Sequence, residues 1–282
     1  MRHPAPARAL ARANAIPSLA IGLWIAAACP VSAGQSPAPC VDSAVLSRSV
    51  VSITHYLGTP RREWDGEVIG ERATAWFYVS PRLLVTAAHF AARFPEGWDE
   101  AELRQSMEDG RPDIVLRVRV RVLPGRQSFG RPGIRAESAA GDAEDVAILE
   151  LERPFPSAQV LEANDRRPEP NETVLVLGYP GGRKQAAPST VREGRQASAK
   201  FAGLAFIEVQ GTNRFLLNAG SSGSPVLDCR DGSVLAVLNG LLTGPSLPFL
   251  PPDKAAVPTP WGSPTNTAVP ASLLNSLRDR LL

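Results

Sequence analysis

Few residues in this chain have both the type and the setting for chemistry, and they lie far apart. The run NAGSSGSP, Asn218 to Pro225, brackets two serines with two glycines and closes on a proline. Glycine allows backbone angles and close approach that a Cβ obstructs. The N–H groups of Gly220 and Ser222 can therefore converge on one point, while Ser222 presents a hydroxyl. Ser221 and Ser224 would act as supports. A serine hydroxyl is a weak nucleophile at neutral pH. It needs an imidazole to take its proton and a carboxylate to orient that imidazole. It also needs N–H groups aimed at the oxyanion that forms on attack. The run is not the Gly-x-Ser-x-Gly elbow, because position 224 is Ser. A plain solvent turn is the bland alternative.

Only three histidines can supply the imidazole: His3, His55 and His89. His3 lies in the N-terminal leader described below. His55 falls inside a strand-like run and reads as a packed or exposed strand residue. His89 ends LLVTAAH, where an apolar strand runs into small residues, and is expected at a strand end pointing out of the core. For the carboxylate, GDAEDVAILEL offers Asp142, Glu144 and Asp145. The first two read as solvated loop residues. Asp145 abuts the apolar run Val146 to Leu149, so it can be partly buried and still reach an imidazole.

The elements that must position these groups are mostly strands. Frequent Gly and Pro with scarce Met suit a turn-rich β protein better than a helical bundle. Strand readings cover Ser49–Gly58, Ala73–Ser80, Leu83–His89, Asp113–Gly125 and Val146–Pro156. In the second half they cover Thr173–Gly182, Ser189–Lys200, Leu204–Gln210 and Ser233–Thr243. In DIVLRVRVRVLPG, period two puts the valines on one face and Arg117, Arg119 and Arg121 on the other. A half-buried strand with a wet face is the reading favoured over a polyanion-binding stripe. The polar segment Ala163–Glu172 connects two β-rich halves. Gly244–Pro264 is a proline-rich excursion, and leucine spacing makes Ser272–Leu282 a helix.

The first 33 residues read as a signal peptide: Arg2, Arg8 and Arg12 with no acid, the apolar run Ala20–Ala28, then small residues ending at Ala33. The apolar run is too short for a membrane span. A rival reading is lipid attachment at Cys29, although AAAC lacks the usual Leu of a lipobox. Removing the leader takes three arginines from 30 basic side chains and leaves 27 against 28 acidic ones, a net charge of −1. No global charge therefore favours nucleic acid or an anionic membrane as partner. Cys40 and Cys229 remain. In an oxidising compartment they can pair; one buried and one exposed thiol is the equal alternative.

Together VTAAH, DVAILEL and GSSGSP, in the order His, Asp, Ser, resemble the trypsin-like serine proteases, nearest the HtrA-type and glutamyl-endopeptidase-like bacterial branch. ETVLVLGYPGG, SVLAVLNG and TNTAVPASLL resemble further strands of that family. The likeness runs from about residue 46 to 282. It implies an all-β fold of two six-stranded antiparallel barrels with a C-terminal helix and the catalytic residues in the cleft. The division expected is 1–33 signal, 34–45 lead-in, first barrel about 46–160, second about 171–271, helix 272–282. The implied triad is His89, Asp145 and Ser222, with Gly220 and Ser222 as oxyanion donors and no metal or organic cofactor. The implied substrate pocket is lined by Leu216, Leu217, Asn218, Ala219, Leu238, Asn239 and Gly240. It lacks an acid for Lys or Arg, and suits an apolar or small side chain of a peptide or protein substrate. Three departures stand out. Ser221 replaces the Asp of animal digestive members, TAWFYVS replaces the glycine motif of HtrA-type members, and the PDZ domain common in HtrA-type members is not expected.

The expected function is that of an exported serine endopeptidase, periplasmic or secreted. A pseudoprotease that uses the two-barrel surface for binding is the alternative, and an esterase a third reading. Oligomeric state has no signature. N-terminal sequencing of the exported protein should find Gly34 first; retention of residues 1–33, or a lipid on Cys29, would overturn the cleavage assignment.

Overall fold

The computed structural model describes residues 40–56, 70–107, 110–123, 145–192, 205–209, 220–242 and 265–281. The chain divides into two units, residues 1–36 and 37–282, and every described residue belongs to the second. Among its described residues, β-branched and alternating apolar runs form twelve strands. They are β1 Val50–Tyr56, β2 Gly70–Phe77, β3 Leu83–Thr86, β4 Asp99–Gln105, β5 Ile114–Val122 and β6 Ala147–Leu151, then β7 Thr173–Gly178, β8 Gln185–Arg192, β9 Ala205–Val209, β10 Pro225–Asp228, β11 Val234–Leu242 and β12 Thr265–Pro270. Two α-helices among the described residues accompany them, α1 Ala88–Ala91 and α2 Ser272–Leu281.

The strands close into two antiparallel barrels, β1-β2-β3-β6-β5-β4 and β7-β8-β9-β12-β11-β10. This is the all-β, two-barrel fold expected. Side-chain alternation explains the continuous apolar runs. Ala73, Ala75, Phe77, Leu84, Leu149 and Leu151 fill the first barrel. Val174, Val176, Val226, Leu235 and Ile207 fill the second. The opposite faces of several strands meet in a third apolar layer: Trp76, Val85 and Ile148 from the first half, Leu175, Leu177, Tyr179 and Val237 from the second. Leu274 and Leu277 of α2 seal that layer. Strands buried on both faces lose the polar alternation of a half-wet sheet.

Several element bounds differ from the sequence reading. β3 ends at Thr86, so His89 sits on the helical turn α1 rather than at a strand end. Alanine favours helix and the stretch carries no β-branched residue after Thr86. β8 starts at Gln185, before Ser189, because its alanines and proline hide a run in which Ala187, Ser189 and Val191 point inward. β4 escaped notice because DEAELRQ is rich in helix formers, yet Ala101, Leu103 and Gln105 are buried in alternation. On β5 the arginines do face solvent: Arg119 pairs with Glu152 and Arg121 with Glu150.

The connection between the barrels is more ordered than its polar composition suggests. Arg166 donates to both oxygens of Glu172, at 2.5 and 2.8 Å, and to buried Asp228 Oδ2 at 2.7 Å. Arg230 holds the same Asp228 oxygen at 2.6 Å. Beside it a disulfide joins Cys40 to Cys229. Hydrogen bonds from Arg230, reinforced by Arg166, hold the Asp228 carboxyl well below the carboxylate range. Burial pushes Glu172 up, but the Arg166 hydrogen bonds outweigh it and leave it lowered. A depressed carboxyl stabilises the fold above its unfolded value and loses that contribution as pH falls.

Thermal stability should therefore fall as pH drops through and below 3.8, the ordinary Asp value. Asp228→Asn should cost about 2 to 3 kcal/mol near neutral pH, the scale of a hydrogen bond to a charged group. The gap from wild type should narrow in acid. A pH-independent gap between the two melting curves would contradict this account.

Candidate active site

The register of two strands sets the first half of the site. Thr86 on β3 lies opposite Ala147 on β6. The chain then turns into α1, and His89 arrives beside Asp145, two residues before Ala147. Asp145 is fully buried. A buried carboxylate needs compensating donors, and His89 supplies two. Its ring Nδ1 lies 2.8 Å from Asp145 Oδ2, and its backbone N–H donates to Oδ1 at 2.8 Å. The carboxylate acts as acceptor, so Nδ1 carries the proton and Nε2 keeps a lone pair. That lone pair faces Ser222 Oγ at 3.1 Å.

Ser222 comes from the second half, in the turn leading into β10. Both barrels hold that turn. Thr74 N–H on β2 donates to Ser222 O at 2.9 Å. Gly223 N–H donates to Leu238 O on β11 at 2.7 Å, and Leu238 N–H returns a bond to Ser224 O at 2.9 Å. Ser224 closes the turn through its Oγ–H to Ser221 O at 2.6 Å and its N–H to the same oxygen at 3.0 Å. Ser221 and Ser224 thus sit as the supports expected. Gly220 has φ +96° and Gly223 φ +88°. An added Cβ at Gly220 would lie 2.6 Å from Tyr179 O, and one at Gly223 would lie 2.2 Å from Thr74 O. Glycine is required at both by conformation and by space. Among the described residues, neither the Gly220 nor the Ser222 N–H donates to a protein acceptor. Two donors two residues apart on a fixed turn are the kind of group an anion cradle would need.

The structure therefore brings together His89, Asp145 and Ser222 with Gly220. The proposed pocket wall fares differently. Leu216, Leu217, Asn218 and Ala219 lie outside the described residues, as do Asp142, Glu144, Cys29 and the excursion Gly244–Pro264. Leu238 contributes its backbone to the turn, but its side chain belongs to the second-barrel core. Asn239 is buried, with Oδ1 accepting from Thr267 Oγ1 at 2.8 Å, and Gly240 is half-buried. His55 is a buried strand residue paired with Asp99 at 2.8 Å and in tilted ring contact with Phe94. The residues that sequence reading missed are Thr74, Thr86 and Tyr179. The only hint was a polar residue inside an apolar run, as in ATAWFYVS.

Two closed six-stranded barrels with a His–Asp–Ser cluster at their junction define a protein of the trypsin-like fold. The sequence agrees: residues 73–237, more than half of the chain, match the trypsin-like peptidase domain, and the chain belongs to that family. Among solved structures, the protease Rv3671c of M. tuberculosis in its active form is similar, with a TM-score of 0.50 and 21% identity over 85% of this chain and 83% of that one. A serine endoprotease from Yersinia pestis has a TM-score of 0.49 and 12% identity, over 86% of this chain and 67% of that one. At 21% identity the likeness to Rv3671c is one of fold. No curated protein sequence matched.

Substituting Gly223→Ala should disrupt the Ser222 turn, because its Cβ meets the backbone of β2 and cannot be relieved by a side-chain shift. Peptidase activity should fall by at least about 10²-fold, the scale of losing an oxyanion donor, with the melting temperature lowered. Full activity in a folded Gly223→Ala protein would exclude this turn as the site.

Proposed function

We propose that the protein is a serine endopeptidase that works through an acyl-enzyme. The observation that carries this reading is the unbroken hydrogen-bond chain Asp145–His89–Ser222, in a chain of the trypsin-like peptidase family. His89 Nε2 takes the Ser222 proton as Oγ attacks a peptide carbonyl carbon. Asp145 keeps His89 in the tautomer that can accept it and stabilises the imidazolium. The N–H groups of Gly220 and Ser222 receive the oxyanion, each worth about 3 kcal/mol in the transition state. The imidazolium then protonates the leaving amine and the C–N bond breaks. Water, deprotonated by His89, attacks the acyl ester and releases Ser222.

The residue before the cut is expected to be apolar or small, and the mature protein to act outside the cytoplasm, in the periplasm or beyond the cell. Sequence supports both readings. The wild-type protein should cleave a peptide library and take up a serine-directed phosphonate. Ser222→Ala should do neither while keeping its fold. Asp145→Asn should lower kcat by about 10⁴-fold, since the imidazole is then held in the wrong tautomer. Undiminished turnover in Ser222→Ala would reject the mechanism, and a wild-type protein that binds peptides without cutting them would favour the binding role.

A further inference from the structure

We propose that Thr74 is the positioning residue of the oxyanion cradle, a role that rests on reading the Gly220 and Ser222 N–H groups as the oxyanion donors. Thr74 lies in β2 between Ala73 and Ala75, which point into the first-barrel core. By strand alternation its side chain points the other way, toward the second barrel, and it is fully buried. A hydroxyl there has one proton to give and lone pairs to fill. The proton goes to Gly220 O at 2.7 Å, and Tyr179 N–H donates to Thr74 Oγ1 at 2.9 Å. A carbonyl can only accept and an N–H can only donate. The rotor therefore has one orientation that satisfies both partners.

The main chain of the same residue completes the grip. Thr74 N–H holds Ser222 O at 2.9 Å, and Thr74 O is itself fixed by Thr86 Oγ1–H at 2.8 Å. One residue thus binds the carbonyl oxygens of both residues whose N–H groups face the oxyanion. Peptide planarity ties each held carbonyl to the N–H that follows it, those of Ser221 and Gly223; the Gly220 and Ser222 donors lie across the Cα, so the held carbonyls aim them through the φ and ψ of those two residues. Gly220 most needs such an anchor, since glycine has no Cβ to bias its rotation and here sits at φ +96°. Without the hydroxyl, two buried groups, Gly220 C=O and Tyr179 N–H, lose their partner. Buried polar groups seek replacement partners, and turning the Gly220 backbone to find one re-aims the donor.

This error is felt where charge has built up on the oxyanion, and hardly at all in the bound substrate. In Thr74→Val, kcat should fall about tenfold to a hundredfold, short of the ~10²–10³-fold loss from deleting a donor outright. KM should change little. Affinity for a peptide aldehyde, which forms a tetrahedral adduct on Ser222, should fall in step with kcat/KM. Thr74→Ser, which keeps the hydroxyl, should restore both. If Thr74→Val does not fold, Thr74→Ala removes the hydroxyl without adding bulk and carries the same expectation. Full kcat in either folded variant, aldehyde affinity unmoved while kcat drops, or failure of Thr74→Ser to rescue would each overturn the assignment. Ser222→Ala separates the two levels. Turnover surviving in it removes the acyl-enzyme reading itself. An inactive Ser222→Ala beside a fully active Thr74→Val removes only the role of Thr74.

Discussion

Everything at the candidate site depends on the fit of one barrel against the other. His89 and Asp145 belong to the first barrel, Ser222 to the second, and the 3.1 Å between Nε2 and Oγ is a distance across a seam. Trp76, Val85 and Ile148 meet Leu175, Leu177 and Tyr179 along that seam, and Trp76 and Tyr179 are wholly buried. Burying a large apolar side chain stabilises by roughly 1.5 to 3 kcal/mol, so a handful of such contacts resists separation of the halves. An interior packed to solid density also resists sliding. The seam thereby sets a hydrogen-bond length that neither barrel could set alone.

Polar groups at the seam then convert a general docking into one register. Tyr179 starts just after β7, yet its hydroxyl accepts from Ser106 N–H at 2.8 Å in the first barrel. Its own N–H reaches Thr74 on β2. Apolar contact is non-directional and tolerates small rotations. A buried donor or acceptor that loses its partner does not, because the full desolvation cost returns. Such bonds cluster around the Ser222 turn, where a small misplacement would matter most. Farther away, the Arg166–Glu172–Asp228 group fastens the inter-barrel connection to the end of β10.

The fold was legible because strands with two buried faces leave a strong trace. VAILEL and TVLVLG could hardly be anything else, and the order of His89, Asp145 and Ser222 selected one topology. Elements whose burial is carried by small or polar residues were not legible. β4 hides behind its charges, and β8 behind alanines and a proline. Ser222 and its glycines could be found because glycine marks special backbone, and Asp145 because an acid preceded an apolar run. The Arg166 network could not be found, since its partners are distant in sequence and look like ordinary loop charges. Thr74 was invisible for a subtler reason. A threonine is at home in any strand, and nothing local says that its hydroxyl faces another barrel.

The space around Thr74 is shared between the two barrels. A Cβ on Gly178 would come within 2.1 Å of Ser224 Oγ and 2.9 Å of Thr74 Oγ1, so the glycine there leaves room for both hydroxyls. A Cβ on Gly223 would come within 2.2 Å of Thr74 O and 2.6 Å of Thr86 Oγ1. That carbonyl oxygen is present whatever side chain stands at position 74, so no substitution of Thr74 makes room for a larger residue at 223. The two glycines thus serve different ends: Gly178 admits the side chains that hold the Ser222 turn, and Gly223 admits the backbone of β2 against it.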